Sequence, residues 1–363
     1  MGTRPEAIKL APVILEFKTS RSFDTQVVLT GQHREMVSQV MQMFCLNADD
    51  DLEIMQQKQT LTDITCKSLQ GLERLFQQMQ PQVVLVQGDT TTAFAATLAA
   101  FYQKIPVGHV EAGLRTDNIY NPYPEEANRR LISQLAQLHF APTSLAVEHL
   151  KRSSVVGEIH QTGNTVIDAL LMVAQRQPEC KIPGLDWQKY RVMLSTVHRR
   201  ENWGEPLRDI GEGFLQILDR FPDTALLLPL HRNPTVREPL EEILGNHPRA
   251  FLTEPLDYHE LVGAIERCYL LLTDSGGLQE EAPSLGKPVL VLRETTERQE
   301  AVDAGTAKLV GTDSSQILAS AAELLNNSTV YQAMATAVNP FGDGRAAKRI
   351  LQIVEDYCGR ERQ

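Results

Sequence analysis

The feature that most constrains this chain is a rhythm in which short apolar runs alternate with longer stretches of helical periodicity. In the first half the runs are Gln26–Leu29, Val83–Gln87, Val107–Val110 and His139–Ala141. In the second half they are Val192–Thr196, Ala225–Leu230, Ala250–Leu252, Leu270–Thr273 and Val289–Leu292. Runs so short and so continuously apolar suit strands covered on both faces, and parallel strands need helical crossovers between them. The rhythm therefore predicts an α/β fold of parallel sheets with helices on both sides, repeated once. Helix punctuation agrees: Thr60 opens an amphipathic run to Met79 that Pro81 ends, and Asp257 caps a run to Cys268. A length of 363 residues fits two such domains. The break at Gln177-Pro178-Glu179-Cys180-Lys181-Ile182-Pro183-Gly184 sets the boundary near the helix preceding it. A last helix from Arg345 to about Tyr357 either closes the second domain or crosses back to the first.

The start of the chain departs from the rhythm. Gly2-Thr3-Arg4-Pro5-Glu6 reads as a strand-to-helix turn with Thr3 as N-cap and Pro5 at the first helical position, yet only Met1 stands before it. The expectation is that the first strand of the N-terminal domain is missing. Its two neighbours then lose ladder bonds, and Arg4 loses its anchor.

Charge and cysteine usage exclude several function classes. A net charge of −11 argues against broad binding to nucleic acid or an anionic membrane, so an anionic ligand needs a local basic pocket. The five cysteines are far apart with no CxxC pair, which predicts reduced thiols and a cytoplasmic protein. The nine histidines show no HExxH or Cys/His spacing, so no protein-held metal is expected. The longest nearly apolar stretch, Ala93–Tyr102, is too short to span a bilayer. Gly211-Glu212-Gly213 and Gly342-Asp343-Gly344 do not open a complete dinucleotide-binding unit, so bound NAD is disfavoured.

In open α/β sheets ligands sit beyond the carboxyl ends of the strands, which directs attention to the polar residues that follow each run. Asp89 and Glu111 follow two of them, and Glu125 opens a helix, so three carboxylates are candidates to converge. Each taken alone also fits a helix cap or a helix-dipole role. His198-Arg199-Arg200 and His231-Arg232 are cationic turns suited to a diphosphate. Asp274-Ser275-Gly276-Gly277 is a small-residue turn into a helix, a place for phosphate, with Glu280 and Glu281 placed to meet ribose hydroxyls.

With these motifs in order, the chain resembles, nearly end to end, the bacterial non-hydrolysing UDP-N-acetylglucosamine 2-epimerases. The resemblance rests on Gly2-Thr3-Arg4-Pro5-Glu6-Ala7-Ile8-Lys9, Gln32-His33-Arg34-Glu35-Met36, Gly88-Asp89-Thr90 and Gly108-His109-Val110-Glu111-Ala112-Gly113-Leu114-Arg115. It continues through Pro124-Glu125-Glu126-Ala127-Asn128-Arg129, Gly163-Asn164-Thr165, His198-Arg199-Arg200-Glu201, Asp274-Ser275-Gly276-Gly277, Thr295-Thr296-Glu297-Arg298 and Asn339-Pro340-Phe341-Gly342. It implies two Rossmann-like domains facing a cleft, in a glycosyltransferase-B-like arrangement. The N-terminal domain is then 1–166, with helix 346–363 packing back on it, and the UDP-binding domain is 167–345. It also implies a homodimer in cell-surface polysaccharide biosynthesis that interconverts UDP-GlcNAc and UDP-ManNAc without a cofactor, by elimination and re-addition of UDP through 2-acetamidoglucal. By motif, Asp89, Glu111, Glu125 and His198 resemble the catalytic residues. Arg4, Lys9, His198, Ser275, Gly276, Gly277, Glu281 and Arg298 resemble UDP contacts. Gln32, Glu35, Gln59, Glu125, Arg199 and His231 resemble a second UDP-GlcNAc site that activates, with Lys58 where some members have Arg. Two further readings stay open on sequence alone: a glycosyltransferase of the same architecture, and an inactive UDP-sugar-binding chain.

Overall fold

A computed structural model of the chain describes residues 1–31, 34–56, 59–116 and 118–361. It divides into two compact units, Met1–Ala169 with Phe341–Gln363, and Leu170–Pro340. Both are Rossmann-like α/β units in which every strand pairing is parallel.

In chain order the first unit holds α1 (Arg4–Thr19), β1 (Val28–Leu29), α2 (Arg34–Met43), β2 (Asp50–Asp51), α3 (Leu61–Met79), β3 (Val84–Gln87), α4 (Thr91–Tyr102), β4 (Val107–Val110), α5 (Glu125–Leu135), β5 (Leu138–Ala141), α6 (Ser144–Arg152), β6 (Glu158–Gln161) and the start of α7 (Thr165–Ala174). The second holds β7 (Arg191–Thr196), α8 (Glu205–Arg220), β8 (Thr224–Pro229), α9 (Pro234–Leu244), β9 (Ala250–Thr253), α10 (Tyr258–Arg267), β10 (Leu270–Thr273), α11 (Gly276–Glu281), β11 (Val289–Val291), α12 (Gln299–Asp303), β12 (Ala307–Leu309), α13 (Ser314–Asn326) and α14 (Ser328–Ala335). The final helix α15 (Ala346–Glu361) belongs to the first unit: it packs on α1, and the Ala346 and Ala347 N–H groups donate to the Asp168 carboxylate at 3.2 and 2.9 Å.

The second unit orders its strands β12-β11-β10-β7-β8-β9. The chain runs outward from β7 to β9, then returns to β10 on the other side and runs outward again. The order therefore reverses between β7 and β10, and their carboxyl ends flank the crevice where such sheets take ligands. Leu270, Leu271 and Leu272 are fully buried because helices cover both faces of the sheet. On α8 the residues Leu207, Ile210, Phe214 and Ile217 recur at helical spacing and all reach zero exposure, so one apolar stripe supplies much of that cover.

The first unit is split. Its strands form one sheet ordered β3-β4-β5-β6 and a separate pair, β1-β2. Between β1 and β3 lies a cavity of about 680 Å³, walled by α1 and α3 as well, with Ile14, Val28, Phe76, Leu85 and Val86 among its lining residues. Met1 occupies one edge of it: its amino group donates to the Val28 carbonyl at 2.8 Å, and the Thr30 N–H donates to the Met1 carbonyl at 3.0 Å. Those two bonds are the ones a parallel neighbour makes across Leu29. Among the described residues no strand fills the remainder of the slot.

The expectation that Arg4 would lose its anchor is wrong. Glu6, in the first turn of α1 and 3% exposed, accepts from the N–H groups of Gly2 at 2.8 Å and Thr3 at 2.7 Å, and from the Thr90 hydroxyl at 2.8 Å. The helix thus fixes its own leading turn through a capping-box carboxylate and ties that turn to the start of α4. A local bond pattern replaces the strand as support.

Sequence reading also passed over β2, β6 and β12. Asp50–Asp51 is exposed and Glu158–Gln161 is polar, so neither carries the apolar pattern of a buried strand; both are edge elements recruited by their neighbours.

Candidate active site

Two strands of the first unit deliver carboxylates at their carboxyl ends. Asp89 follows β3 by way of Gly88, whose φ of +72° makes the turn. Glu111 follows β4 directly and is itself left-handed, at φ +64°, which costs a non-glycine residue about 1 kcal/mol or more. Its carboxylate is buried and held by three side chains: Lys9 Nζ donates to both oxygens at 2.6 Å, Asn164 Nδ2 donates at 3.0 Å, and Gln87 Nε2 makes a further short bond. Lys9, read from sequence as a UDP contact, is placed by the fold on Glu111.

Asp89 is held from α5. Arg129 Nε donates to Asp89 Oδ2 at 3.1 Å and its Nη2 at 2.5 Å, while Asn128 Nδ2 donates to the Asp89 backbone carbonyl at 2.9 Å. Arg129 in turn pairs with Glu126, whose side chain is fully buried. Burial raises the Asp89 carboxyl above its ordinary range; Arg129 pulls it back, and the nearby Glu111 charge pushes it up again. Glu125 is the first residue of α5 and half-buried.

Just beyond Glu111 the backbone passes close to α6. Gly113 has φ +97°, and a Cβ there would stand 2.4 Å from the Ala146 carbonyl oxygen of α6. Only glycine fits without moving a backbone.

In the second unit the reversal point carries His198 after β7 and Asp274 after β10. Asp274 has no exposed surface. Its Oδ2 accepts from the N–H groups of His198 at 2.9 Å and Arg199 at 2.8 Å and from Asn202 Nδ2 at 3.1 Å. Its Oδ1 lies 3.2 Å from His198 Nδ1. The His231 ring is nearly parallel to that of His198, with centroids 6.1 Å apart.

Gly276 opens α11 with Ser275 as N-cap, and the Arg199 and Arg298 guanidinium groups both come within 3.5 Å of where a Gly276 side chain would begin. Arg298 Nε donates to Glu280 at 2.6 Å. Glu281 accepts from the buried Tyr258 hydroxyl at 2.9 Å. Arg199 Nε is buried and meets no hydrogen-bond partner among the described residues. Of the two carboxylates offered for a ribose, Glu280 is thus engaged by Arg298, and Glu281 is held by a tyrosine.

Of the residues read as a second-ligand site, Gln32 and also Lys58 lie outside the described residues. Glu35 is exposed in the first turn of α2, and Gln59 donates to the Ile54 carbonyl. His231 is exposed in the loop after β8.

Sequence reasoning assigned no role to Gln87, Asn164, Glu6, Asp274 or Tyr258. Gln87 ends an apolar run, and Asn164, Glu6 and Asp274 stand inside quoted motifs, a signal in the sequence itself. Tyr258 reads as an ordinary helix-face aromatic and gave none.

Parallel sheets in two Rossmann-like units, with acidic groups at the strand ends of one and a His–Arg cluster at the reversal point of the other, define the class: a two-domain α/β enzyme of glycosyltransferase-B-like fold. A trehalose-6-phosphate synthase from Burkholderia multivorans shares that fold at a TM-score of 0.56 and 12% identity, over 83% of this chain and 78% of its own. The model of the UDP-N-acetylglucosamine 2-epimerase family matches residues 15–355. The chain is 49% identical to the UDP-N-acetylglucosamine 2-epimerase of Salmonella typhimurium, over 98% of this chain and 97% of that one. It is 48% identical to the Neisseria meningitidis enzyme of that name, whose crystal structure holds UDP-GlcNAc, with a TM-score of 0.88 and 98% of each chain covered. This chain belongs to the UDP-N-acetylglucosamine 2-epimerase family.

Proposed function

We propose that this protein interconverts UDP-N-acetylglucosamine and UDP-N-acetylmannosamine by inverting C2, with UDP leaving C1 and returning through 2-acetamidoglucal. The observation that carries the mechanism is the Glu111 cluster. A carboxylate held in a strained backbone conformation by a lysine, an asparagine and a glutamine is preorganised at a fixed point, beside a second carboxylate whose proton affinity is raised.

The C2 hydrogen lies next to an acetal carbon rather than a carbonyl, so it becomes acidic only as the C1–O bond breaks and positive charge builds at C1. Fixed carboxylates stabilise that charge, and one of them takes the proton; Asp89, Glu111 and Glu125 are the candidates. Protonation of the glucal on the opposite face, with UDP re-adding, gives the epimer. His198, Arg298 and the Ser275–Gly277 turn hold the diphosphate, with Arg4 as a further cation and Glu281 on the ribose. Lys9 is read here as the group that positions Glu111.

The test is incubation with UDP-GlcNAc alone in D2O. The C2 isomers should equilibrate with deuterium at C2. Product that keeps C2 protium overturns the elimination route, release of free N-acetylmannosamine indicates a hydrolysing enzyme, and no reaction without an acceptor favours sugar transfer.

On the same reading the enzyme is a cytoplasmic homodimer, its five cysteines free thiols, and a second UDP-GlcNAc activates it. Sedimentation velocity checks the dimer, and a sigmoidal dependence of rate on UDP-GlcNAc checks the activation.

A further inference from the structure

The carboxyl ends of β7 and β10 bring together a histidine and a carboxylate whose relationship says more than that both are polar. β10 is an apolar strand with no exposed residue, so Asp274, the next residue along, is delivered below the surface. There it accepts from two consecutive backbone N–H groups and a side-chain amide, which fixes the loop that carries His198. Its other oxygen, which also takes a longer bond from the His198 N–H at 3.2 Å, lies 3.2 Å from His198 Nδ1. The imidazole is 41% exposed, so its other edge is open to a ligand.

A neutral imidazole has a single N–H. A carboxylate at Nδ1 draws that hydrogen to itself and leaves Nε2 with a lone pair, which repels a phosphate oxygen. We propose that Asp274 is a positioning residue that makes diphosphate capture by His198 a proton-taking step, because Nε2 can donate to the anion only once the ring has gained a second proton. This rests on the reading of His198 as a diphosphate contact.

The groups that face the ring are Asp274 from the end of β10, Arg199 beside it in the chain, and His231 from the loop after β8. Burial lowers the proton affinity of His198. Asp274 raises it, and the Arg199 and His231 charges lower it again, with a net downward result. The free ring is therefore neutral at neutral pH, and a bound dianion shifts the balance towards the imidazolium. Affinity for UDP through this group then falls as pH rises from the titration midpoint of the free ring to that of the bound ring.

Calorimetry of UDP binding at pH 7.5 in two buffers of different ionisation enthalpy reads the proton directly. The control is His198→Gln, which keeps a donor but cannot titrate, so subtracting it removes the proton that the UDP terminal phosphate exchanges itself. The wild type should take up at least about half a proton more than His198→Gln. Equal proton numbers overturn the proposal. His198→Ala separates the two layers: if it binds UDP as tightly as wild type, the diphosphate contact itself is wrong, whereas weaker binding without proton uptake in the wild type sinks only the proton linkage.

NMR of carbon-13-labelled histidine in the wild-type protein gives a second reading that needs no folded variant at Asp274. The His198 titration midpoint should rise on saturation with UDP, and an unmoved midpoint overturns the proposal. In Asp274→Asn, where it folds, the free midpoint should drop further and proton uptake should shrink. A wild-type titration there removes Asp274 from the role.

Discussion

At the residue scale, the two units hold their buried carboxylates by opposite means. Glu111 is pinned by neutral and cationic donors around a strained backbone, whereas Asp274 is itself the holder and pins a histidine. Asp89→Asn and Glu111→Gln should each lower turnover at least about 100-fold while leaving UDP affinity near wild type, because neither is read as touching UDP. Lys9 distinguishes its two possible jobs. If it positions Glu111, Lys9→Met lowers kcat far more than it weakens UDP binding; a loss of UDP affinity with little change in kcat would return it to the list of UDP contacts. Gly113 is a simpler case of geometry. Its positive φ and the carbonyl 2.4 Å from a would-be Cβ predict that Gly113→Ala destabilises the protein by roughly 1–3 kcal/mol, read as a lower urea midpoint.

At the element scale, the slot between β1 and β3 is the most consequential feature. β3 gives the Val84 and Gly88 N–H groups to β4, so strand alternation turns the backbone of Leu85 and Gln87 towards the cavity. On the far side Met1 makes one bridge position against Val28 and Thr30 and carries a buried amino group whose proton affinity burial lowers. Fusing a short apolar, β-branched segment ahead of Met1 would turn that ammonium into a peptide group, pair both flanking backbones and cover apolar walls. The melting temperature should rise by at least about 3 °C. Equal melting temperatures for the two chains would show that the slot does not accept a strand. The turn after the slot needs no such help, because Glu6 already holds Gly2 and Thr3.

At the scale of the whole molecule, the acid limit of stability follows from histidines that the sheet buries. His109 on β4 is opposite His139 on β5, and both are buried. Burial pushes His109 down to about 3 and His139 down as well. An unfolded histidine titrates near 6.5. Between about 6.5 and about 3 the unfolded chain therefore binds more protons than the folded one, and stability falls as pH falls through that window. Asp168 acts in the opposite sense over a narrower range: burial lifts it to about 6, so the folded state gains as pH drops from there towards the ordinary carboxylate value. His198 is lowered too and Asp89 raised, so with three histidines against two carboxylates the urea midpoint should decline below pH 6. His109→Gln should flatten the decline, and a slope unchanged from wild type would assign the acid sensitivity elsewhere.

What the sequence determined by itself was whatever depends on short-range pattern. Apolar runs flanked by helical periodicity specify parallel strands and crossovers, and Thr60 and Asp257 are local capping signals that need no partner. The residues after each run named the candidate chemistry because parallel strands present their carboxyl ends on one side. Tertiary structure alone decided who holds whom. Lys9 meets Glu111 across more than a hundred residues of chain, and Tyr258 finds Glu281 through the packing of α10 against the sheet. Edge strands such as Asp50–Asp51 are made by a neighbour's unpaired backbone rather than by their own side chains. Above all, only the fold could set Asp274 under His198, because strand order, not sequence order, makes β7 and β10 neighbours.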